Sequence, residues 1–241
     1  MKVIVTNSYD ETCAVIANMI KELVNAKPDA KLGLATGGTP VPIYKKLIEM
    51  NKAGEVDFSR VHTVNLDEYC GIPGTHDQSY RYFMDTNLFD YINIDKKNTF
   101  VASGMGDFEA NARELEEKVR EGGAADLQLL GIGNNGHIAF NEASDHLIAV
   151  AHTEKLTEST INANARFFAS KDEVPKKAMT MGIRSIMQAR QILVVVSGED
   201  KAEIVKKAFF GPVTPQVPAS ILQMHPNVVL VGDKAALSKI L

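Results

Sequence analysis

The chain has no tryptophan, only two cysteines and no apolar run long enough to cross a membrane. A membrane-spanning helix needs about 18 or more consecutive apolar residues, so we expect no transmembrane segment. Cys13 and Cys70 do not form a Cys-x-x-Cys pair, and we expect free, buried thiols in a reducing compartment. The amino-terminal apolar run is too short for a signal peptide. These absences predict a cytoplasmic protein.

Long basic runs are missing as well, and the formal net charge is −4. A protein that binds the nucleic-acid backbone needs clustered lysine and arginine residues, so nucleic acid is not an expected partner. The histidines show neither His-Glu-x-x-His nor His-x-His spacing: they include His62, His76, His146, His152 and His225. We therefore expect no metal site.

Short apolar runs of strand length alternate with segments that carry apolar residues at helical spacing, from the amino terminus onwards. Examples of the runs are Val3–Val5, Val61–Leu66 and Ile192–Val196. This alternation predicts an α/β fold in which an open, mainly parallel sheet carries helices on both faces. No internal repeat or linker interrupts the pattern, so residues 1–241 are expected to form a single domain.

Individual helices are predicted where the apolar spacing is clearest. The pattern predicts helices over Phe108–Arg120, Pro175–Ala189 and Ala235–Leu241. Ser8, followed three residues later by Glu11, has the spacing of a capping box. The least regular stretch runs from residue 144 to residue 170, and we expect a lid over a binding site within residues 144–176.

Three glycines, a histidine and a carboxylate lie within the twelve residues Gly131–Glu142, directly after the apolar run Leu127–Leu130. Glycines at the carboxyl end of a parallel strand let the backbone approach a ligand closely. The stretch also matches Gly-x-Gly-x-x-Gly. That fingerprint usually lies in the first βαβ unit and is followed, about 20 residues on, by an acid that ends a second strand. No such strand follows here, so a dinucleotide site is not predicted.

His137 is a candidate acid–base group because Asn135 and Glu142 lie close enough in sequence to hold its ring. No Gly-x-Ser-x-Gly motif supplies a nucleophile. Asp67 and Glu68 end a predicted buried strand and should face the same crevice. Asp67 is a candidate general base, whereas Glu68 is expected to be an ionised, solvated cap of a helix or turn.

The turn Thr36–Pro40 (Thr-Gly-Gly-Thr-Pro) has two equally open interpretations. It can bind an anion at the start of a helix, or it can be a tight turn in which Thr39 caps the helix and Pro40 opens its first turn. Arg166 and Lys201 are isolated cations, and each is either a phosphate partner or a solvated surface charge.

Together, ordered segments along essentially the whole chain resemble the glucosamine-6-phosphate deaminase (isomerase) family. They are Thr36–Pro40, Asn65–Tyr69, Gly131–Glu142, Asn164–Phe168, Ser197–Gly198 with Lys201, and Leu222–Pro226. The resemblance implies a Rossmann-like α/β sheet and no metal or organic cofactor. It implies conversion of glucosamine 6-phosphate and water to fructose 6-phosphate and ammonium, a step of amino-sugar catabolism.

By this resemblance, Asp67 is the base that moves a proton between C2 and C1 of the sugar. His137 opens the sugar ring by passing a proton to the ring oxygen, and Glu142 and Asn135 hold and polarise that histidine. The implied phosphate-binding residues are Thr36, Gly37, Gly38, Thr39, Arg166 and Lys201.

The chain departs from the family pattern at Asn135, where many members carry aspartate. It also lacks the basic residues near 144–153 that help larger members bind an N-acetylated sugar-phosphate activator, so we do not expect such activation. Three alternatives stay open: a galactosamine-6-phosphate deaminase, a 6-phosphogluconolactonase-like esterase, and a non-catalytic regulator that binds a sugar phosphate. The expected partner is a small amino-sugar phosphate, and both a monomer and a homo-oligomer are compatible with the sequence.

Overall fold

The computed structural model describes residues 1–241 and consists of strands that alternate with helices. The strands are β1 (Lys2–Thr6), β2 (Lys31–Leu34), β3 (His62–Asn65), β4 (Asp67–Tyr69), β5 (Thr99–Phe100), β6 (Leu127–Leu130), β7 (His152–Lys155), β8 (Lys177–Thr180), β9 (Ile192–Val196) and β10 (Val228–Asp233). The α-helices are α1 (Tyr9–Ala26), α2 (Val41–Lys52), α3 (Tyr80–Asn87), α4 (Phe108–Arg120), α5 (Glu158–Asn164), α6 (Ile183–Met187) and α7 (Ala202–Phe210). None of them is long and apolar enough to cross a membrane.

Seven strands form the main sheet, in the order β1-β10-β9-β6-β2-β3-β5. Every pairing in this sheet is parallel. The central strands β6, β9 and β10 are buried along their whole length, which requires that both faces of the sheet be covered. The predicted open, parallel α/β sheet is therefore confirmed.

The direction of the strand connections reverses between β2 and β6. Strand β2 pairs with β3, which pairs with β5, on one side, whereas β6 pairs with β9 and then β10 on the other. The loops that leave the carboxyl ends of β2 and β6 therefore diverge. In open α/β sheets such a reversal opens the crevice in which ligands bind. The crevice here lies between the Thr36–Pro40 turn and the Gly131–Glu142 loop.

A second sheet of three antiparallel strands, in the order β4-β8-β7, lies beside the first. Leu66 joins the two sheets. Its N–H donates to the carbonyl of Leu34 in the main sheet (3.3 Å), and its own carbonyl accepts from the N–H of Met181, which follows β8 (2.7 Å). The chain therefore leaves one sheet and enters the other at Asp67, directly at the edge of the crevice.

The predictions for individual helices differ in outcome. Helix α4 has the predicted bounds, Phe108–Arg120. The predicted helix over Pro175–Ala189 is wrong in its first half, because residues 177–180 form β8, which pairs with both β4 and β7. The predicted helix over Ala235–Leu241 is also wrong: these residues form successive turns. For residues 177–180, pairing with strands distant in sequence overrides the helical spacing of the apolar residues.

Of the two contacts in the capping box predicted for α1, the one made by the Ser8 side chain is confirmed, and the one made by the Glu11 side chain goes to a different residue. Ser8 Oγ accepts a hydrogen bond from the N–H of Glu11 (3.2 Å). The Glu11 carboxylate, however, accepts from the N–H of Asn7 (2.8 Å), one residue before the cap. Caps of this kind stabilise a helix by about 1 kcal/mol. This one fixes the start of α1 beside Tyr9, which lines the crevice.

Candidate active site

The crevice holds a cavity of about 620 Å³, a size typical of small-molecule sites. The loops after β2, β6 and β9 line it together with the start of β4, helix α5 and the 3-10 turn that follows α5. Nine of the ten predicted site residues line this cavity: Thr36, Gly37, Gly38, Thr39, Asp67, Asn135, His137, Arg166 and Lys201. The tenth, Glu142, lies behind His137 and contacts it from the buried side.

The turn Thr36–Pro40 presents bare backbone to the cavity. A side chain added at Gly37 or Gly38 would meet no atom within 4 Å, and Gly37 has a φ of +86°. The N–H groups of Gly37, Gly38 and Thr39 have no acceptor in the protein. Unpaired amides before a helix attract an anion because the N–H dipoles point at it. The geometry fits an anion site better than it fits a closed turn.

Thr39 does not cap α2, so the interpretation of Thr36–Pro40 as a turn capped by Thr39 is not the one that the structure has. The N-cap residue is Pro40, and no side chain caps this helix. Tyr9 holds the turn instead, because its hydroxyl donates to the carbonyl of Thr39. Tyr44 Oη likewise donates to the carbonyl of Ala35 at the other end of the turn. The hydroxyl of Thr39 is therefore not used by the helix start.

Lys201 and Arg166 bring two positive charges to the same cavity. Lys201 Nζ donates to the carbonyl of Ile132 (2.9 Å) and to Asn134 Oδ1. Burial lowers the pKa of Lys201, the neighbouring carboxylate of Asp200 partly opposes this, and the charge of Arg166 lowers it further. The Arg166 guanidinium stacks 4.7 Å above the ring of Phe167 and forms no ion pair. Two cations that repel each other across a cavity favour a bound anion.

Asp67 is a buried carboxylate without a hydrogen-bond partner. It lines the cavity and is 6% exposed. Burial raises the pKa of Asp67 to about 8, and the negative charge of Glu68 contributes to the increase. A carboxylate that is neither paired nor fully hydrated has a basicity suited to proton transfer near neutral pH.

Glu68 has the predicted capping role but not the predicted solvation. Its carboxylate accepts hydrogen bonds from Ser79 Oγ (2.7 Å) and from the N–H groups of Tyr80 (2.9 Å) and Arg81 (3.1 Å) at the start of α3. The residue is only 1% exposed, however. Burial raises the pKa of Glu68, and these hydrogen bonds reduce the effect. Glu68 thereby anchors β4 to α3 and holds the backbone of Asp67 in place.

His137 and Glu142 form the predicted pair. His137 Nδ1 lies 3.5 Å from Glu142 Oε2, at the outer limit of a hydrogen bond, and has no closer polar partner. Burial raises the pKa of Glu142, but hydrogen bonds and charge from His137, Thr160 and Asn135 outweigh it and lower the pKa to about 2. Glu142 is therefore ionised at every physiological pH and can stabilise a positive imidazolium.

Asn135 supports this pair differently from what the sequence suggested. Its amide nitrogen donates to Glu142 Oε2 (2.8 Å), and its amide oxygen accepts from the backbone N–H of His137 (3.2 Å). The oxygen does not contact the imidazole ring. Asn135 therefore orients the carboxylate and the loop backbone, and only through them the histidine ring.

The glycines of the Gly131–Glu142 loop make room for the histidine. A Cβ atom on Gly133 would lie 2.3–2.6 Å from three atoms of the His137 ring, so the ring packs directly on this backbone. Gly136 has a φ of +90° and is crowded by Val217. No helix begins in the loop, whereas a dinucleotide pyrophosphate binds at a helix start. The loop therefore lacks the helix start that a dinucleotide pyrophosphate would use.

Some cavity residues carry no motif that sequence reasoning could use. Tyr9, Tyr80, Asn134, Thr160 and Asp200 all line the cavity, but each stands in an ordinary helical or loop context. Only their contacts with distant segments mark them. No three histidine, cysteine, aspartate or glutamate side chains converge to hold a metal ion.

Three comparisons with known proteins describe what the chain is similar to. The family model for glucosamine-6-phosphate isomerases/6-phosphogluconolactonase matches residues 6–231. A glucosamine-6-phosphate deaminase of Clostridium perfringens is 52% identical over 237 residues, which are 98% of this chain and 98% of that protein. A solved monomeric glucosamine-6-phosphate deaminase has a TM-score of 0.96 and 41% identity, covering 99% of this chain and 100% of that one.

A 6-phosphogluconolactonase from Thermotoga maritima has a TM-score of 0.75 at 21% identity, covering 97% of this chain and 99% of that one. This likeness shows the shared fold alone.

The raised pKa of Asp67 predicts that this carboxylate destabilises the folded protein at alkaline pH. The folded state holds the Asp67 proton up to a pKa of about 8, and the unfolded state releases it near pH 4. The folded state therefore loses stability as the pH rises from about 4 to 8. We expect Asp67→Asn to raise the free energy of unfolding by a few kcal/mol at pH 9, since each pKa unit is worth about 1.4 kcal/mol.

Urea unfolding at pH 5.5 and pH 9 measures this effect, and the gain should be larger at pH 9. Asp172→Asn, at an exposed aspartate, is the matched control and should show no such dependence. Equal gains for Asp67→Asn at both pH values would contradict the prediction.

The packing of His137 on Gly133 predicts that Gly133→Ala displaces the imidazole ring, because the new methyl group would lie less than 3 Å from it. We expect a changed Cε1–H chemical shift for His137 in the NMR spectrum of the folded variant. Gly131→Ala is the matched control, since a Cβ atom there meets nothing within 4 Å. Unchanged His137 resonances in Gly133→Ala would refute the packing argument.

Proposed function

Since the chain belongs to the family of glucosamine-6-phosphate isomerases and 6-phosphogluconolactonases, we propose that it is a glucosamine-6-phosphate deaminase that converts glucosamine 6-phosphate and water to fructose 6-phosphate and ammonium. Relatives with this name match it over nearly their whole length. The observation that carries the proposal is the unpaired, buried carboxylate of Asp67 in the same cavity as His137.

The reaction begins with the closed sugar ring. His137 is the acid–base group that takes the proton of the C1 hydroxyl and gives one to the ring oxygen, so that the C1–O5 bond breaks and an aldehyde forms. A histidine suits this role because it both accepts and donates protons near neutrality. The ionised Glu142 stabilises the imidazolium while it holds the proton.

Asp67 then moves a proton from C2 to C1. Removal of the C2 proton, with uptake of a proton by the aldehyde oxygen, gives an enolamine. Return of the C2 proton to C1, with loss of a proton from the nitrogen, gives an imine at C2. Water adds to the imine carbon, the C2–N bond breaks, and ammonia leaves with a proton as ammonium, which yields fructose 6-phosphate. One carboxylate serves both transfers because it returns the proton that it removed. Exclusion of water from Asp67 raises its basicity and protects the enolamine.

The substrate phosphate binds, in this proposal, to the turn Thr36–Thr39 with Arg166 and Lys201. The unpaired amides of the turn and the two unneutralised cations support it. The phosphate lies far from the reacting carbons, so its binding energy can position C1 and C2 against Asp67. The lysine uses part of its hydrogen-bonding capacity on Ile132 and Asn134, which fixes its ammonium group in the cavity.

Residues 144–176 act as the lid of this site in the same proposal. Helix α5 and the 3-10 turn Ala165–Phe167 line the cavity from this segment. Arg166 and Phe167 are exposed at the cavity, so a phosphate that draws Arg166 inwards would bring the segment over the sugar. We place the enzyme in the cytoplasm, where phosphorylated sugars are retained because their charge prevents passage through a membrane.

A galactosamine-6-phosphate deaminase is the nearest alternative, because that substrate differs only in the configuration at C4. The fold resembles that of a 6-phosphogluconolactonase, which favours an esterase of that kind. Hydrolysis of a lactone, however, needs no proton transfer between carbon atoms, so it would not use Asp67. A non-catalytic regulator would leave both Asp67 and the His137–Glu142 pair without a task. The deaminase proposal uses all three groups.

Incubation with glucosamine 6-phosphate, followed by assays of ammonium and fructose 6-phosphate, tests the proposal. We expect the two products in equal amounts. Asp67→Asn should lower kcat by about 10³-fold or more, because the amide cannot accept the C2 proton. Its KM should change little, since the phosphate contacts are intact.

Asp29→Asn, at an exposed aspartate outside the cavity and the lid segment, is the control for the substitution itself and should keep full activity. Ammonium from galactosamine 6-phosphate alone would redirect the substrate assignment. No ammonium from either hexosamine phosphate would reject the enzyme proposal.

Asn135→Asp should shift the pH–rate profile. The new carboxylate would stand 2.8 Å from Glu142 Oε2, where the amide now donates a hydrogen bond. Two carboxylates at this distance share a proton, so the pKa of one of them rises strongly. We expect the acidic limb of kcat to move to higher pH. Asn18→Asp, an exposed position on α1 away from the cavity, adds the same charge elsewhere and should leave the profile unchanged. An unchanged profile in Asn135→Asp would remove the supporting role of Asn135.

A further inference from the structure

Thr160 contacts Glu142 from the opposite side to His137. Its hydroxyl donates a hydrogen bond to Glu142 Oε1, although the two residues are 18 positions apart. Thr160 lies in α5 and is 4% exposed. The backbone N–H of Thr157 also points to Oε1, at 3.4 Å. The start of α5 therefore supplies two donors to the carboxylate that serves His137.

The direction of the hydrogen bonds follows from the charge of Glu142. An ionised carboxylate only accepts, so the single hydroxyl hydrogen of Thr160 must go to Glu142. The Thr160 oxygen then accepts from Thr157 Oγ1 (3.1 Å), while Thr157 Oγ1 itself accepts from the N–H of Thr160 and caps α5 (3.3 Å). A chain of donors runs from the helix cap to the carboxylate.

The two oxygens of Glu142 have separate tasks. Oε2 accepts from Asn135 and faces His137 Nδ1. Oε1 accepts from Thr160 and Thr157. The loop that carries His137 fixes one oxygen, and the helix α5 fixes the other. Neither set of contacts alone determines the plane of the carboxylate, because a carboxylate held at one oxygen can still rotate.

The same helix leads directly to the proposed phosphate site. Helix α5 ends at Asn164, and the 3-10 turn Ala165–Phe167 that follows carries Arg166 into the cavity lining. The contact with Glu142 and the contact with the phosphate therefore belong to one short, continuous piece of helix.

We propose that Thr160 is a positioning residue that holds Glu142 against His137, so that the acid–base pair is complete only while α5 is seated beside it. This inference rests on the proposed deaminase function and extends it to the assembly of the site. Thr160 touches the reacting atoms only through Glu142 and His137. Substrate phosphate that draws Arg166 inwards would thereby also set the ring-opening histidine.

Thr160→Val tests the proposal, since valine has the shape of threonine without the donor. We expect kcat to fall roughly ten- to a hundredfold, the effect of a lost hydrogen bond to a charged group. KM should change by less than about threefold, because the phosphate contacts are retained. Thr160→Ser, which keeps the hydroxyl, should restore most of the lost kcat.

Thr63→Val is the matched control. Thr63 lies in β3, away from the cavity lining and outside residues 144–176, and its buried hydroxyl has no hydrogen-bond partner. The same substitution there should leave kcat and KM unchanged. A second readout is the ¹³C titration of the Glu142 carboxyl group. Loss of the Thr160 donor should raise the pKa of Glu142, because the hydrogen bond from Thr160 helps to lower it, so the carboxyl group of the variant should titrate at higher pH than that of the wild-type protein.

The outcomes separate this inference from the proposed function. If the wild-type protein releases ammonium and Thr160→Val has the kcat of Thr63→Val, the positioning role is refuted. Failure of Thr160→Ser to restore kcat would also refute it, because the hydroxyl would then not be the cause. If the wild-type protein has no activity, the proposed function fails, and the Glu142 titration still decides whether Thr160 holds the carboxylate.

Discussion

The peptide group of Leu66 is the junction on which the site depends. Its N–H completes the parallel ladder to Leu34, and its carbonyl begins the antiparallel contact with Met181. The side chain of the next residue, Asp67, finds no hydrogen-bond donor at this junction. Its carboxylate is therefore buried and without a hydrogen bond at the edge of the cavity. The high pKa of Asp67 is thus a consequence of its position where the two sheets meet. The burial that makes the ionised carboxylate destabilise the fold is also what makes the carboxylate basic.

The other groups of the site depend on this arrangement in turn. The Glu68 carboxylate accepts hydrogen bonds at the start of α3, so Asp67 is the one of the two carboxylates that faces the cavity. Glu142, in contrast, is surrounded by donors and has a low pKa. Two buried carboxylates therefore have opposite protonation behaviour because one has hydrogen-bond donors and the other has none.

Much of the fold follows from local patterns. The bounds of α4 and β9 and the parallel sheet were predictable, because amphipathic helices and buried strands have distinct apolar periods. The first half of the helix expected over Pro175–Ala189 was not correct, since β8 is defined by its partners β4 and β7 and local spacing contains no information on them. For the same reason, the sequence left open whether Thr39 caps a helix, because the contact of Tyr9 with its carbonyl comes from another helix.

The sequence by itself determined which chemical groups are present and that they follow the carboxyl ends of parallel strands. The spacing of the glycines and the chemical identity of Asp67, His137 and Glu142 are local properties, so short sequence motifs reveal them. Only the tertiary structure decided which buried carboxylate is left without a hydrogen-bond donor, that Asn135 contacts Glu142 and not the imidazole ring, and that Thr160 reaches Glu142 as well. Burial and hydrogen bonding depend on segments far apart in the chain, so they exist only after the two sheets and α5 have packed together.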